Sequence, residues 1–320
     1  MVSKMLIGFA ASLALVLWLM PKWIEKLKKL SLRQTVSEYS LEEYKEKGKT
    51  PIMGGVLFII VPVILTVLLC FRDMKDFNNV IVLLAFAGYG MIGFIDDWLI
   101  AVKKNNDGLK PWQKFLMQAI LAIIFYYMYR SQGKLEIHVP FSGKAWHLGI
   151  WYSVLIFFML TGSSNAVNLT DGMDGLSAGC TQFALAAFLV IAISKGRTTI
   201  AVFICTLMAA LFGYLYYNVK PAKVFMGDTG SLALGACLAA LAIVLDSELA
   251  LIVIGGIFVI ETMCVIIQQV SVRTGHGKVF VYTPIHYAFV IKGKGENQVV
   301  HMFWLVEACF ALLGLFIGLH

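Results

Sequence analysis

Apolar stretches long enough to cross a membrane recur along the whole of this 320-residue chain. A helix needs roughly 20 predominantly apolar residues to span the hydrocarbon core of a bilayer. Ten such stretches lie at 5–20, 52–71, 80–95, 115–129, 150–167, 178–194, 199–217, 231–245, 249–270 and 299–319. Charged residues make up only 14% of the chain, well below the roughly one quarter of ordinary soluble domains. The sequence therefore predicts a polytopic integral membrane protein with ten transmembrane segments.

The length of these stretches also predicts their secondary structure. Strands of a transmembrane β-barrel are about 10 residues long and alternate in polarity, whereas the stretches here are longer and continuously apolar. We therefore predict an all-α fold that forms a single membrane-embedded domain over residues 1–320. The segment 135–150 differs, because its alternation around Ser142 and Gly143 predicts a small extracytoplasmic β-hairpin.

Lysine and arginine are distributed unevenly between the connections. The loops 21–50, 99–114, 218–228 and 271–297 hold 18 of the 26 basic residues. Since cytoplasmic loops carry the excess of positive charge, these four loops are predicted to face the cytoplasm and both termini to be extracytoplasmic. Basic loops beside anionic lipid also account for the net charge of +7, so membrane lipid is a predicted partner and nucleic acid is not.

Five polar motifs fall on the predicted cytoplasmic face. They read "GKTPIMGG" (48–55), "GFIDDW" (93–98), "NLTDGMDG" (168–175), "VFMGDTGS" (224–231) and "RTGHGKVFVYTPIHYAF" (273–289). Each one opens or closes an apolar stretch, or fills the connection between two of them. Their convergence on a single membrane surface indicates a functional site there.

The adjacent residues Asp96 and Asp97 close the stretch 80–95. A single aspartate at this point would be explained by a helix end that meets water. Two aspartates at a helix C-terminus oppose the macrodipole, which favours cations there. The pair therefore favours a functional role in which a nearby cation offsets the repulsion.

The other acidic motifs combine carboxylates with turn residues. Asp171 and Asp174 share a face with each other and with Asn168 if they occupy a first helical turn, although cap and turn chemistry explains the same residues equally well. Asp228 opens the span 231–245, where free amide groups favour phosphate and the carboxylate favours a cation. Carboxylates gathered at a basic membrane surface favour divalent-metal chemistry on a phosphate attached to lipid.

Two polar residues stand out in the C-terminal third of the chain. Glu261 lies inside the stretch 249–270, where a charge costs at least about 2.5 kcal/mol, so it is predicted to face the bundle interior or a wet cavity. His286 is a single histidine in the loop 271–297, for which a plain surface position is the simpler interpretation.

These motifs, in this order and over nearly the whole chain, resemble the bacterial phospho-N-acetylmuramoyl-pentapeptide transferases of the polyprenyl-phosphate N-acetylhexosamine-1-phosphate transferase superfamily. "GKTPIMGG" is similar to the family's K-T-P-T-M-G-G, and "GFIDDW" to F-x-D-D. "NLTDGMDGL" is similar to N-L-T-D-G-L-D-G-L, and "FMGDTGSLALG" is the closest match. The ten spans with both termini outside also agree with that family.

The resemblance implies an Mg²⁺-dependent enzyme of the bacterial cytoplasmic membrane whose active site faces the cytoplasm. It implies transfer of phospho-MurNAc-pentapeptide from UDP-MurNAc-pentapeptide to undecaprenyl phosphate, which gives lipid I and UMP in peptidoglycan synthesis. A homodimer is a further expectation. Carried over by motif, Asp228 is the expected Mg²⁺ ligand, Asp96 and Asp97 handle the lipid phosphate and the metal region, and His286 serves catalysis.

The resemblance also implies a set of substrate-binding residues. Lys49 is expected to contact phosphate, and Phe225 to stack near uracil. Asn168, Asp171 and Asp174 are expected on the nucleotide side.

The loop after span 249–270 departs from the family pattern P-I-H-H-H-F-E. Residues 284–290 read "PIHYAFV", so His286 is retained while Tyr287, Ala288 and Val290 replace two histidines and a glutamate. The roles of those three replaced side chains are absent from this chain. We expect His286 to carry the function of the loop alone.

Two other functions stay open at this level. A related transferase that uses UDP-GlcNAc would share the superfamily motifs, although the loop 273–289 favours the muramoyl branch. A secondary transporter would also combine broken helices with intramembrane carboxylates, but the ten segments contain no internal repeat.

Overall fold

The computed structural model describes residues 1–30, 50–103, 108–131 and 133–320. Its α-helices in chain order are α1 (Val2–Lys29), α2 (Gly55–Leu69), α3 (Phe77–Lys103), α4 (Pro111–Tyr129), α5 (Trp151–Thr170), α6 (Leu176–Ser194), α7 (Thr198–Asn218), α8 (Gly227–Val244), α9 (Glu248–Ile254), α10 (Gly256–Arg273), α11 (Ile285–Ile291) and α12 (Glu296–Gly318). A short 3-10 helix, Phe71–Lys75, follows α2, and the strands β1 (Glu136–Val139) and β2 (Lys144–His147) follow α4.

The helices confirm an all-α polytopic membrane protein. Within the described ranges, eight helices are long and apolar enough to cross a bilayer: α1, α3, α5, α6, α7, α8, α10 and α12. The helix α2 is also apolar but has only 15 residues. The predicted hairpin is present as well, since β1 pairs with β2 in antiparallel register with Glu136 opposite His147.

The helix α8 forms the centre of the bundle. Of the residues in its apolar window, 89% are buried, against 17% for α1, and both α3 and α5 pack along it. Its small residues permit this, because a Cβ on Gly235 would lie 2.2 Å from the Ser163 carbonyl oxygen of α5. Small residues at helix crossings allow the close backbone approach on which packing within membranes depends.

The predicted span 249–270 is divided into two helices. Gly255 leaves helical geometry between α9 and α10, with φ −101° and ψ 35°. The buried carboxylate of Glu307, on α12, accepts the Ile257 N–H at 2.9 Å and so satisfies an amide that has no partner inside α10. Gly256 also lies at a close crossing, because a Cβ there would be 2.4 Å from the Phe310 ring. The predicted span 249–270 is therefore interrupted at Gly255 rather than formed by one continuous helix.

The helix α3 extends beyond the predicted end of the stretch 80–95. It continues to Lys103, so Asp96 and Asp97 lie inside the helix, more than one turn before its end. The effect of the macrodipole is confined to the last turn, and the predicted repulsion at a helix terminus does not arise. The contacts of the two side chains, and not their position in the helix, explain why two aspartates are adjacent here.

The crossing of α3 and α8 gives a direct test of the packing. A Cβ on Gly93 would lie 2.0 Å from the Asp228 carbonyl oxygen. Because backbone cannot move aside as a flexible side chain can, we expect Gly93→Ala to lower the free energy of unfolding by about 1–3 kcal/mol. Thermal unfolding in detergent measures the effect.

Gly162→Ala is the matched control, since Gly162 also lies in a membrane helix and a Cβ there meets nothing within 4 Å. This change should leave stability unchanged or raise it by up to about 1 kcal/mol through helix propensity. Equal melting temperatures for the two variants would contradict the close crossing.

Candidate active site

The start of α8 is held by the carboxylate of Asp97, which projects from α3. One Asp97 oxygen, Oδ1, accepts the Asp228 N–H at 3.1 Å. The other, Oδ2, accepts the Thr229 N–H at 3.0 Å and the Thr229 hydroxyl at 2.6 Å. The first amides of a helix have no partner within it, and their partial positive charge favours an anion. Asp97 is 4% exposed, and both of its oxygens are engaged by the helix that they hold.

Gly227 permits this contact. Its φ is +72°, a conformation that favours glycine. A Cβ at this position would lie 2.3 Å from Oδ2 of Asp97. The glycine before Asp228 is therefore required both by the backbone conformation and by the approach of the carboxylate.

The side chain of Asp228 is held between a cation and an amide. Lys114 Nζ donates to Oδ2 of Asp228 at 2.5 Å, and Asn168 Nδ2 donates to Oδ1 at 2.6 Å. Asn168 Nδ2 also lies 2.9 Å from the Ser231 hydroxyl. Side chains from α4, α5 and α8 thus meet at one carboxylate, and the predicted proximity of Asn168 and Asp228 to a common site is observed.

Asp96 faces the same lysine. Its Oδ2 lies 3.9 Å from Lys114 Nζ, and its Oδ1 accepts the Leu109 N–H at 2.7 Å. The chain that leads into α4 passes directly over this carboxylate, since a Cβ on Gly108 would be 2.6 Å from Oδ1. A single ammonium group therefore lies between the carboxylates of Asp96 and Asp228.

The motif 168–175 forms a helix end followed by a turn. Asn168 lies in the last turn of α5, Asp171 is the C-cap of that helix, and Asp174 lies in the turn before α6. Of the two interpretations left open by the sequence, cap and turn chemistry is therefore the one observed, and the three residues do not occupy a first helical turn.

Asp174 joins three parts of the chain. Its Oδ2 accepts the Ala222 N–H at 3.0 Å, and its own N–H donates to Glu296 Oε1 at 3.2 Å. It is only 6% exposed. Its described contacts tie the turn before α6 to the segment before α8 and to the start of α12.

The backbone of Phe225 is fixed by the chain that precedes α2. Its N–H donates to the Pro51 carbonyl at 2.9 Å, and its carbonyl accepts the Gly54 N–H at 2.8 Å. The ring is half-buried. A Cβ on Gly55 would lie 2.5 Å from the Gly230 nitrogen, so the glycines of "GKTPIMGG" let this motif pack on the start of α8. Lys49 of the same motif lies outside the described residues.

His286 is fully buried rather than at the surface. Its Nδ1 lies 2.9 Å from Glu261 Oε1, and the Glu261 carboxylate also accepts the N–H groups of Ile285 and His286 at 2.7 and 3.1 Å. This confirms that Glu261 faces the interior. The other ring nitrogen, Nε2, has no hydrogen-bond partner among the described residues and faces Gly172, where a Cβ would lie 2.3 Å away.

Known proteins match this chain over nearly its full length. The model of glycosyl transferase family 4 matches residues 79–246. A phospho-N-acetylmuramoyl-pentapeptide-transferase of Geobacillus sp. (strain WCH70) is 41% identical over 316 residues, which cover 98% of this chain and 97% of that protein. The transferase of the same name from Oceanobacillus iheyensis is 42% identical over 319 residues, 98% of each chain. The chain belongs to the phospho-N-acetylmuramoyl-pentapeptide transferase family.

This membership makes the protein a bacterial multi-pass membrane protein of the transferase class. A Staphylococcus aureus (strain JH9) relative of the same name is 42% identical over 317 residues, 97% of this chain and 98% of that one. The region matched by the glycosyl transferase model extends from α3 to α8. It therefore includes Asp96, Asp97, Asn168 and Asp228, and leaves out His286.

The carboxylates of the site can be compared in number and arrangement with the ligands that Mg²⁺ requires. Within the described ranges, no group of three or more His, Cys, Asp or Glu side chains is arranged to hold a metal ion. The five predicted aspartates thus do not form one cluster. Mg²⁺ is usually bound by one or two carboxylates together with substrate phosphates, and Asp96 and Asp228 already face one cation, the Lys114 ammonium. This oxygen donor set fits the ion.

Sequence reasoning missed Lys114 as a site residue. In the sequence, Lys114 was considered only as one of the basic residues of the loop 99–114. The available signal was weak: a lysine immediately before an apolar stretch, in a loop predicted to lie beside "GFIDDW". Its role depends on the crossing of α3, α4 and α8, which periodicity does not reveal.

Asp96 and Asp97 should respond differently to the loss of charge. Asp97→Asn places an amide donor against the N–H donors of α8, so we expect stability to fall by about 2–3 kcal/mol. Asp96→Asn keeps an oxygen for the Leu109 N–H. It loses a long ion pair with Lys114 but also relieves repulsion from Asp228, so the change should stay below about 1 kcal/mol. Melting temperatures measured in the same detergent would contradict this assignment if the two variants were equally stable.

Proposed function

We propose that this protein transfers phospho-MurNAc-pentapeptide from UDP-MurNAc-pentapeptide to undecaprenyl phosphate, which releases UMP and forms lipid I for bacterial peptidoglycan synthesis. Membership of the family over nearly the full chain supports this activity. The names of the relatives favour the muramoyl donor over UDP-GlcNAc, and an enzyme over a transporter.

One observation carries the proposal within the structure: the Lys114 ammonium lies between Asp96 and Asp228, at the start of the most buried helix. Transfer of a phosphoryl group depends on positioning and on neutralising negative charge. Lys114 supplies a fixed positive charge for a phosphate oxygen. Asn168 supplies an amide donor that keeps the Asp228 carboxylate in one orientation.

We propose Mg²⁺ as the cofactor, with Asp228 as its protein ligand and Asp96 beside it. When bound, the ion would neutralise the diphosphate of the donor and the charge of the departing UMP. The two carboxylate oxygens of Asp228 are oriented by Lys114 and Asn168, while its backbone N–H is held by Asp97.

The two adjacent aspartates have different proposed tasks. Asp96 is the residue that positions the lipid phosphate, because its carboxylate faces Lys114 beside Asp228. Asp97 supports catalysis by holding the start of α8, since both of its oxygens accept hydrogen bonds from that helix. This replaces the sequence interpretation, in which both aspartates handled the lipid phosphate.

The remaining site residues are assigned to the donor. We propose that the nucleotide and its phosphates are bound by Lys49, Asn168, Asp171, Asp174 and Phe225.

His286 is proposed as a catalytic residue that acts through Nε2, because Glu261 engages its other ring nitrogen. The buried Glu261 fixes the orientation of the ring.

We further propose ten transmembrane spans in a single membrane-embedded domain, with both termini extracytoplasmic and the active site facing the cytoplasm. The eight long apolar helices, together with α2 and α4, would supply the ten crossings. The excess of basic residues in the loops that carry the site motifs supports this orientation. A homodimer in the cytoplasmic membrane is proposed from the family alone.

Cysteine labelling tests the orientation. In a cysteine-free background, Lys144→Cys in β2 and Lys292→Cys after α11 both place a thiol at an exposed position. A membrane-impermeant reagent added to intact cells should label position 144 and leave position 292 unlabelled until the cells are opened. Labelling of position 292 in sealed cells would overturn the proposed topology.

Purified protein tests the reaction. With undecaprenyl phosphate and UDP-MurNAc-pentapeptide, we expect UMP release that requires Mg²⁺ and stops when EDTA is added. Asp228→Asn should lower turnover at least about 100-fold because the reacting groups lose their positioning, and added Mg²⁺ should not restore it.

Asp73→Asn is the control for the loss of one carboxylate, since Asp73 is a half-exposed partner of Lys4 outside the site. Its turnover should stay normal. The same assay with UDP-GlcNAc as the donor tests the choice of substrate. Equal turnover of UDP-GlcNAc and UDP-MurNAc-pentapeptide would overturn the assignment of the muramoyl donor in favour of the UDP-GlcNAc alternative.

A further inference from the structure

The side chain of Tyr287 joins α11 to the turn between α5 and α6. Its hydroxyl donates to the Gly172 carbonyl at 2.9 Å. Its ring packs against His286, with ring centroids 4.2 Å apart, and against Tyr282 at 5.6 Å. This contact links the residue that replaces a histidine of the family pattern to the motif that carries Asp171.

The turn at Gly172 and the start of α11 are in direct contact. A Cβ on Gly172 would lie 2.3 Å from His286 Nε2 and 2.7 Å from the Tyr287 hydroxyl oxygen. The Gly172 N–H is also engaged, since it donates to the Thr170 carbonyl at 2.8 Å. Tyr287 therefore donates its hydrogen bond to the backbone carbonyl of the residue immediately after Asp171. A displacement of α11 would displace this carbonyl as well.

The helix α11 is itself firmly held. Glu261, fully buried on α10, accepts the amide N–H groups of Ile285 and His286 and contacts the His286 ring. Hydrogen bonds to a charged group are about twice as strong as neutral ones. Tyr287 thus extends from an anchored segment, so its hydroxyl can fix the position of the turn rather than follow it.

The hydroxyl is a donor at all physiological pH values. Burial, with smaller contributions from Tyr282 and Asp171, raises the pKa of Tyr287 above its ordinary value. A tyrosine at this position therefore keeps its proton and donates to Gly172 throughout the neutral range.

We propose that Tyr287 is a positioning residue for the nucleotide-sugar donor. Its hydrogen bond to the Gly172 carbonyl fixes the turn that begins at Asp171, the C-cap of α5. This inference rests on the proposed function, because it needs a donor bound at that turn. The acceptor side is held separately, through the Leu109 N–H on Asp96, so the effect of Tyr287 should be confined to the donor.

Tyr287→Phe removes only the hydroxyl and keeps the ring contacts. Loss of one neutral hydrogen bond should raise the KM for UDP-MurNAc-pentapeptide by about three- to tenfold. The KM for undecaprenyl phosphate and kcat should stay within about twofold of wild type, as expected for loss of binding that is equal in the ground and transition states. Calorimetry of UDP-MurNAc-pentapeptide binding should show the same fold-change in Kd.

Tyr129→Phe is the matched control. The Tyr129 hydroxyl also donates to a backbone carbonyl, that of Ile243 at 3.3 Å, near the opposite end of α8 from Asp228. Its removal should leave the KM for the donor unchanged. A melting temperature for each variant separates a loss of folding from a loss of binding.

The kinetic results distinguish the role of Tyr287 from the proposed function of the protein. If wild type is active and Tyr287→Phe has an unchanged KM and Kd for the donor, the role of Tyr287 is overturned while the proposed function stands. A lower melting temperature with unchanged kinetic constants also overturns it, since the contact would then serve stability alone. Absence of UMP release by the wild-type protein would overturn the proposed function and this inference together.

Discussion

The site depends on the hydrogen bonds that the start of α8 donates to the Asp97 carboxylate. The helix is almost entirely enclosed by its neighbours, so its first amides have little access to water, and a buried amide without a partner is costly. Asp97 supplies that partner from α3. The same contact fixes the register between α3 and α8, and thereby sets Asp228 beside Lys114 and Asn168. The site is thus built on a carboxylate that need not touch substrate.

The same physical solution recurs at two other helix starts inside the protein. Glu261 binds the first amides of α11, and Glu307 binds that of Ile257 in α10. Each carboxylate comes from a different helix and is fully buried. A charge within a membrane protein is therefore not by itself a sign of catalysis, because a helix N-terminus can be its counter-charge. The short helix α11 and the break before α10 are possible here because carboxylates from neighbouring helices complete the backbone hydrogen bonding.

The class of fold was predictable from sequence, because the length of an apolar stretch is a local property. Glu261 was correctly expected inside, whereas the sequence grouped Asn168 with Asp171 and Asp174 and did not predict its hydrogen bond to Asp228. The task of Asp97 was not predictable, since a carboxylate that binds amides and one that binds phosphate look identical in a sequence. Lys114 was missed for a related reason: its partners come from other helices. The break at Gly255 also escaped, because the residues around it are uniformly apolar.

The charges around Lys114 suit a site that would receive phosphate together with a cation. Asp96 and Asp228 bring two negative charges, and Lys114 offsets one of them. The remaining charge is negative, which favours entry of a cation and, on its own, disfavours phosphate. Under the proposed role for Mg²⁺, two further positive charges would reverse the sign, so that phosphate groups are attracted only when the cation accompanies them. Asn168, uncharged and bound to Asp228, holds the carboxylate in place in both states without altering this balance.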